Sequence, residues 1–423
     1  MPAAIVSSDA HSVTIQVTIP FGHSMLASED EIQSGLNLAG QLATSKALEQ
    51  FDSDGSPIER GGQRWTSKGR EPKVYQSPYG EIQVERHLYQ TAQGGETFCP
   101  LEVEARMIRT ATPRFAQQIS HKYAEMSSVR VVEDLRANHG RGVARSFVQN
   151  LAETVGTIAI AKEESWHYQT PPVSAPVATV SFGLDGTCVV MCEEGSRQAM
   201  VGTLSLYDSD GKRLHTTYLA AAPEHGRALF LERMQREVEH VCQLYPHAHR
   251  QGLADGAPEN WEFLNAYTQT QVLDFYHASG YLERAAKVFY PRSRQQQQVW
   301  AKQQAHRLKH ELGAAQSLLA EFEAVELASL SAQRQTEFQA IITYFRNHHH
   351  QMNYAQTRTA HRPIGSGVTE AACKVIVKQR LRGSGMQWKG IGAGIVLSLR
   401  TLTYTIGRWQ QFWAKINQYG FSF

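Results

Sequence analysis

Three acidic residues stand where a carboxylate could do chemistry. Asp185 follows the apolar run "VATVSFGL", Asp255 follows "HRQGLA", and Glu370 heads "EAACKVIVKQRLRGSGMQW". No Asp or Glu occurs after Glu370, whereas Lys374, Lys378, Arg380, Arg382, Lys389, Arg400, Arg408 and Lys415 are all basic. An Asp directly after an apolar strand presents its carboxylate at the sheet edge, and a following glycine lets the chain turn close to a ligand. Carboxylates are the hard oxygen ligands Mg²⁺ prefers, and the ion needs few of them, keeping phosphate and water in its other positions. Two such ions, ~3.5–4 Å apart, can activate an attacking oxygen and stabilise a leaving one in an in-line displacement at phosphorus. On a helix, Glu370, Lys374 and Lys378 fall at i, i+4 and i+8, roughly on one face. The carboxylate would then hold metal while the lysines meet phosphates. Each acid also has a plainer reading: Asp-Gly after a strand is a common turn, and Glu suits the positive end of a helix. The combination of order, strand placement and basic context favours the chemical reading.

The elements that must position these acids are legible from residue 175 onward. "VATVSFGLDG" reads as a strand ending at Asp185, and "RQAMVGTLSLYDSDGKRLHTTYLAAAP" as two strands joined at an Asp210–Gly211 turn. The amphipathic helix "HGRALFLERMQREVEHVCQLYP" follows, then a strand ending at Asp255, a helix, a fifth strand and a further helix in "TQVLDFYHASGYLERAA". The order is β-β-β-α-β-α-β-α. From Ser293 to Tyr354 the pattern is helical throughout, with apolar Leu308, Leu312, Leu318, Leu319 and Phe322. Trp388 reads as a core residue rather than a stacking platform. His348–His350 read as a partly charged surface, since three consecutive helical residues point in different directions.

The Pro-rich "HYQTPPVSAPVA", His167 to Ala178, marks a boundary. Before it lie a β-rich region over 1–100 and a helical region over 101–170. In the first, "SVTIQVTIP" and "EIQVERHLYQTA" alternate as strands, while "DSDGSPIERGG" and "SKGREPKVYQSPYG" are turn-rich. Lys68, Arg70, Lys73 and Arg86 would give a basic hairpin able to touch a nucleic acid backbone, or simply a solvated charged face. In the second, "SSVRVVEDLRANHGRGVARSFVQNLAETVG" predicts two helices broken at His139–Gly140, with Val143, Phe147 and Leu151 on the packed face of the second. That is the outline of a helix-turn-helix, leaving Arg145 and Gln149 for a groove, although any two packed helices share it.

The bulk properties set outer limits. A chain of 423 residues, 42% hydrophobic, can build two or three domains. Its net charge of +2 implies no polyanionic partner by itself; only the local distribution does. Five scattered cysteines suit a reducing compartment, and no second close pair completes a zinc site with Cys188 and Cys192. The N-terminus lacks a signal-peptide pattern, and no apolar run reaches the ~18 residues that span a bilayer. A cytoplasmic protein is expected. The acid-free basic C-terminal region argues against a neutral sugar as the substrate of paired carboxylates.

The strings "GLDGT", "GLADGAPENWEFL", "VLDFYHASGYL", "YFRNHHHQMNY", "RPIGSGVTEAACKVIVKQRLRGSGMQW" and "GAGIVLSLR" resemble bacterial insertion-sequence transposases of the ISKra4 family, over roughly residues 177–400. The resemblance implies an α/β fold: an RNase H-like core, with a mixed sheet and flanking helices, over 175–290 and 361–423. An all-α insertion would occupy 291–360, and residues 1–170 would bind DNA. It implies that Asp185, Asp255 and Glu370 are a DDE triad holding two Mg²⁺ ions, with Mn²⁺ as a substitute. "DFYH" matches the D-x-x-H signature of related families, which would bring Asp274 and His277 to the site or the DNA. Lys374, Lys378, Arg380 and Arg382 would contact the backbone of double-stranded DNA, namely the element's terminal inverted repeats and its target in the bacterial nucleoid. Strand cleavage would be followed by strand transfer, and synapsis of two ends implies a homodimer or larger assembly. A non-catalytic DNA-binding protein and a nuclease without joining activity are the alternatives on the same fold. One departure stands out: "ETFCPLE" offers only Cys99 where family members often carry a paired-cysteine zinc ribbon, so no zinc is expected there.

Overall fold

The computed structural model describes residues 2–224 and 227–421; Met1, His225, Gly226, Ser422 and Phe423 lie outside them. The chain divides into two units. One comprises the residues up to Tyr168 with Ser398–Thr403 and the residues from Arg408 onward; the other comprises Gln169–Leu397 with Tyr404–Gly407. The first division falls inside the Pro-rich segment. The second falls at Ser398, so part of the 361–423 region groups with the N-terminal residues rather than with the sheet described below. Among the described residues no helix is long and apolar enough to cross a membrane.

The N-terminal unit begins with an antiparallel pair, β1 (Ala3–Ser8) and β2 (Val13–Val17), and a 25-residue helix, Met25–Glu49, that was not anticipated. Three antiparallel strands follow: β3 (Ile58–Arg60), β4 (Gln63–Gln76) and β5 (Glu81–Thr91). The segment expected to be turn-rich is instead mostly β4, which carries Gly69 and Pro72 past an irregularity between Ser67 and Arg70. The basic hairpin is also corrected. Arg86 is buried, with its Nε donating to the Tyr75 hydroxyl at 2.9 Å and lying 3.6 Å from Glu102. Lys73 pairs with the same Glu102 at 2.6 Å. Arg70, though exposed, donates to the Glu85 carbonyl at 2.9 Å and lies 3.8 Å from Asp52, so three of the four basic groups are engaged within the fold, and Lys68 is exposed.

Helices Pro113–Glu125, Ser128–His139 and Arg145–Lys162 complete this part. Gly140 ends the second of them in the left-handed region, at φ 60°. The third begins after Val143, so its buried face is Val148, Leu151, Ala152 and Val155, and Phe147 packs at its margin against Phe115.

The second unit is built on five strands: β6 (Thr179–Met191), β7 (Gly195–Tyr207), β8 (Arg213–Ala221), β9 (His249–Ala254) and β10 (Thr270–Leu273). Their spatial order is β10-β9-β6-β7-β8; β10, β9 and β6 run parallel, while β7 is antiparallel to both β6 and β8. The chain order of strands and helices is the expected one, with helices Ala228–Leu244, Pro258–Asn265 and Phe275–Phe289 after the third, fourth and fifth strands. The first of these was expected from His225, which lies outside the described residues; the helix begins at Ala228, after Arg227 in the left-handed region at φ 56°.

Side chains alternate across a strand, so the register sorts the two faces. Phe182 and Leu184 share one face, on which Phe230 and Met234 of the 228–244 helix pack close to Gly202. Gly183 and Asp185 point to the other. Four helices, Arg294–His310, Ala314–Glu323, Ala332–His348 and Tyr354–Thr359, fill the stretch before Glu370. They are part of the sheet's own hydrophobic cluster, contributing fully buried Phe322, Phe338, Phe345 and Tyr354. Burying each such ring stabilises the unit by roughly 1.5–3 kcal/mol.

Candidate active site

The strand expected to end at Asp185 continues to Met191. Its pairing with β7 runs unbroken through Asp185 opposite Val201 to Met191 opposite Gly195. On the other side the partner does end: β9 pairs with β6 only as far as Leu253 opposite Gly183. Asp185 and Asp255 each lie two residues beyond that last pair, hence level with one another on adjacent parallel strands, which are spaced about 4.8 Å apart. The final pair between β9 and β10 is Ala254 with Leu273, which brings Asp274 to the same end of the sheet. Three aspartates thus line up where the pairing of the parallel strands stops.

Glu370 reaches this end from the helix Gly367–Ala372. That helix sits on the Gly183 face, where the Thr369 and Thr203 hydroxyls are 2.8 Å apart. Its start is fixed by Asp274, which is 1% exposed. One Asp274 oxygen accepts the backbone N–H of His277, capping the 275–289 helix, and the other accepts the N–H of Ser366, both at 2.6 Å. The Ser366 hydroxyl in turn donates to Glu370 at 2.8 Å. Asp274 is therefore a positioning residue, acting on Glu370 through Ser366. Asp274→Ala is expected to cost about 2–4 kcal/mol, combining a lost N-cap with an orphaned buried N–H. Asp274→Asn keeps one of the two acceptors and turns an NH2 towards the other backbone N–H, so it should recover only part of that loss in urea denaturation.

After Ala372 the helix widens into a π segment, Cys373–Lys378, a rare turn often found at functional sites. Cys373, Ile376 and Val377 face inward, while Glu370, Lys374 and Lys378 all remain on the exposed side, as the spacing predicts. The Cys373 thiol lies 3.3 Å from Asp185 as a donor. Burial and the neighbouring Asp185 charge push that thiol well above its ordinary range, so it keeps its proton. The Asp185 carboxyl is itself raised, first by burial and then by the negative charges of Asp255 and Glu370; the Cys373 thiol and the Gly186 N–H act in the opposite direction. Asp185 is thus near enough to Asp255 and Glu370 to feel both charges, while the thiol and the amide N–H offset part of the cost of ionising it.

A divalent cation fits this donor chemistry: hard oxygens, two of them level with one another where the pairing of β6 with β9 ends, in a field that a positive charge would relieve. Among the described residues no group of three His, Cys, Asp or Glu side chains is already closed around one point. Glu370 is exposed, and its carboxylate accepts from the Ser366 hydroxyl.

The remaining expected site residues separate by burial. His277 is exposed at the head of its helix, with its ring 6.0 Å from Tyr281 and 6.2 Å from Tyr344. Arg382 is exposed at the end of the Glu370 helix. Arg380 is not a surface contact: it is 4% exposed, and its guanidinium lies over the Trp388 ring at 5.2 Å. In the other unit, Arg145 is exposed but bonded to Ser128 at 3.1 Å, and Gln149 donates to Glu153 on its own helix.

Ser366, Cys373 and Gly183 were missed. Gly183 had a signal, because a glycine inside an apolar strand marks a close approach by another element. No protein-family model matches the chain, and no curated protein matches it.

Proposed function

We propose that the chain is a DDE transposase of a bacterial insertion sequence, similar to the ISKra4 family, with an RNase H-like core interrupted by the helices between 294 and 359. The observation that carries this reading is the level placement of Asp185 and Asp255 on adjacent parallel strands, just past the point where the pairing of those strands stops, with Glu370 on a helix seated against the same sheet. Asp185, Asp255 and Glu370 would hold two Mg²⁺ ions, with Mn²⁺ able to replace them. Bound there, divalent ions supply the Lewis acidity for in-line displacement at a phosphodiester. The protein's own part is orientation and charge. Asp274 and Ser366 aim Glu370, and Lys374, Lys378 and Arg382 meet the phosphates flanking the cut. Two ends of the element require two such sites, which calls for a dimer on DNA.

The deciding experiment incubates the purified protein with DNA carrying its genomic flanks and Mg²⁺ or Mn²⁺, beside Glu370→Gln. Cleavage at the element end and joining to target should both occur with wild type and vanish in the variant, while DNA binding persists. Binding without cleavage by wild type would make the chain a non-catalytic DNA-binding protein. Cleavage without joining would make it a nuclease. Lys374→Ala and Lys378→Ala should weaken binding to any DNA sequence, each lowering the slope of log affinity against log salt by about 1.

A further inference from the structure

The last residue of the Ala332–His348 helix faces the acidic end of the sheet, and a chain of amides settles which of its nitrogens is free. Gln271 on β10 donates its side-chain amide to the Asn265 carbonyl oxygen. The Gln271 carbonyl oxygen is then the acceptor for the Gln351 amide at 3.1 Å. Gln351, 4% exposed, therefore turns its own carbonyl oxygen to His348 Nδ1, also at 3.1 Å. A carbonyl oxygen can only accept, so Nδ1 carries the hydrogen and Nε2 of the neutral ring keeps a lone pair. The Tyr344 ring, 4.9 Å away, packs against the imidazole.

The free nitrogen points at the turn that follows β9. A Cβ built on Gly256 would stand 3.6 Å from His348 Nε2. Gly256 has φ +109°, so only glycine fits there without strain, and the imidazole approaches a bare stretch of backbone beside Asp255. Burial first, then Tyr281, and then the negative charges of Asp255 and Asp274 hold the Tyr344 hydroxyl protonated, so both aspartates are felt at this corner. His349 differs, its Nδ1 being turned back to the Arg346 carbonyl, and His350 is exposed.

We propose that His348 is a nitrogen ligand of the acidic site, offering a divalent ion a neutral imidazole beside the Asp255 carboxylate. A histidine that hands its other N–H to a fixed acceptor is the usual arrangement of an imidazole ligand, and Gln351 is that acceptor here. This rests on the reading of the acids as a cation site and adds a consequence for selectivity. Imidazole suits transition ions better than Mg²⁺, so Mn²⁺ and Co²⁺ should be favoured over Mg²⁺ beyond what three carboxylates alone would give.

The test loads the full-length protein with Mn²⁺ and reads ¹⁴N coupling to the ion by pulsed EPR. Coupling is expected in wild type and in His349→Gln, and its loss is expected in His348→Gln, with Mn²⁺ still bound. The ratio of Co²⁺ to Mg²⁺ affinity should fall about tenfold or more in His348→Gln. Gln351→Glu, which retains an acceptor for Nδ1, should keep the coupling. Asp185→Asn locates the ion: Mn²⁺ that depends on Asp185 lies in the acidic site. Asp185-dependent Mn²⁺ without nitrogen coupling overturns the role of His348 and leaves the cation site standing. No Asp185-dependent Mn²⁺ at all overturns both.

Discussion

Asp185→Asn is expected to give a protein that is more stable than wild type at neutral pH and inactive. The two effects have one cause. The folded state holds the Asp185 proton more tightly than the unfolded chain does, because burial and the charges of Asp255 and Glu370 oppose ionisation. A carboxyl raised on folding weakens the fold as it ionises: the penalty is absent below the unfolded value, near 3.8, grows as pH rises to the folded value, and stays constant above it. Asn removes that penalty. Urea denaturation at pH 7, without divalent ions, should therefore favour the variant, and the two proteins should converge as pH falls below about 3.8. Mg²⁺ or Mn²⁺ should stabilise wild type and leave the variant unmoved, since binding to the folded state alone raises stability. Cleavage should fall by at least about 10²–10³-fold, the scale on which losing a single charge-stabilising group is felt. A variant no more stable than wild type at neutral pH would mean that neither burial nor the charges of Asp255 and Glu370 penalise the Asp185 carboxylate in the folded state.

The same acid shows where a one-dimensional reading works and where it stops. Asp255 was placed correctly because everything that fixes it is local: an apolar strand, then Asp-Gly. Asp185 carries the same signature, yet its strand runs on for six more residues to Met191, because β7 is long enough to pair with all of it. The length of a partner strand is not encoded near the residue it partners. What the acid needs is for β9 to stop, and that register emerges only in the assembled sheet. Charge misled in a similar way. Arg86 and Arg380 both sit in basic runs that suggest surface, but each is buried against partners far away along the chain or beyond the end of its own helix, Tyr75 and Glu102 for one and Trp388 for the other. The Met25–Glu49 helix escaped notice for the opposite reason. Only Ser28 and Leu48 along it are buried, so it shows no apolar stripe of helical period.

Gly183→Ala should disable the site without touching an acid. A methyl group on this residue would stand 2.1 Å from the Thr369 hydroxyl and 2.7 Å from that of Thr203, both far inside contact distance. Neither can step aside freely, since the two hydroxyls are bonded to each other and both threonines are buried. The helix bearing Thr369 must therefore lift from β6, and Glu370 is the next residue along it. Overpacking a tight interior of this kind costs about 1–3 kcal/mol, and a shift of ~1 Å in a catalytic group can cost ~10²-fold in rate. The expected variant is folded, modestly destabilised, and slower in cleavage by a factor on the order of 10², with its affinity for DNA kept because Lys374, Lys378 and Arg382 stay exposed. Thr369→Ala in the same chain removes the nearer of the two obstructing oxygens. The double variant should recover part of both losses, so that the two substitutions are non-additive. If Gly183→Ala cleaves at the wild-type rate, Glu370 does not take its position from the contact of its helix with the sheet, and the constellation of three acids would need a different support.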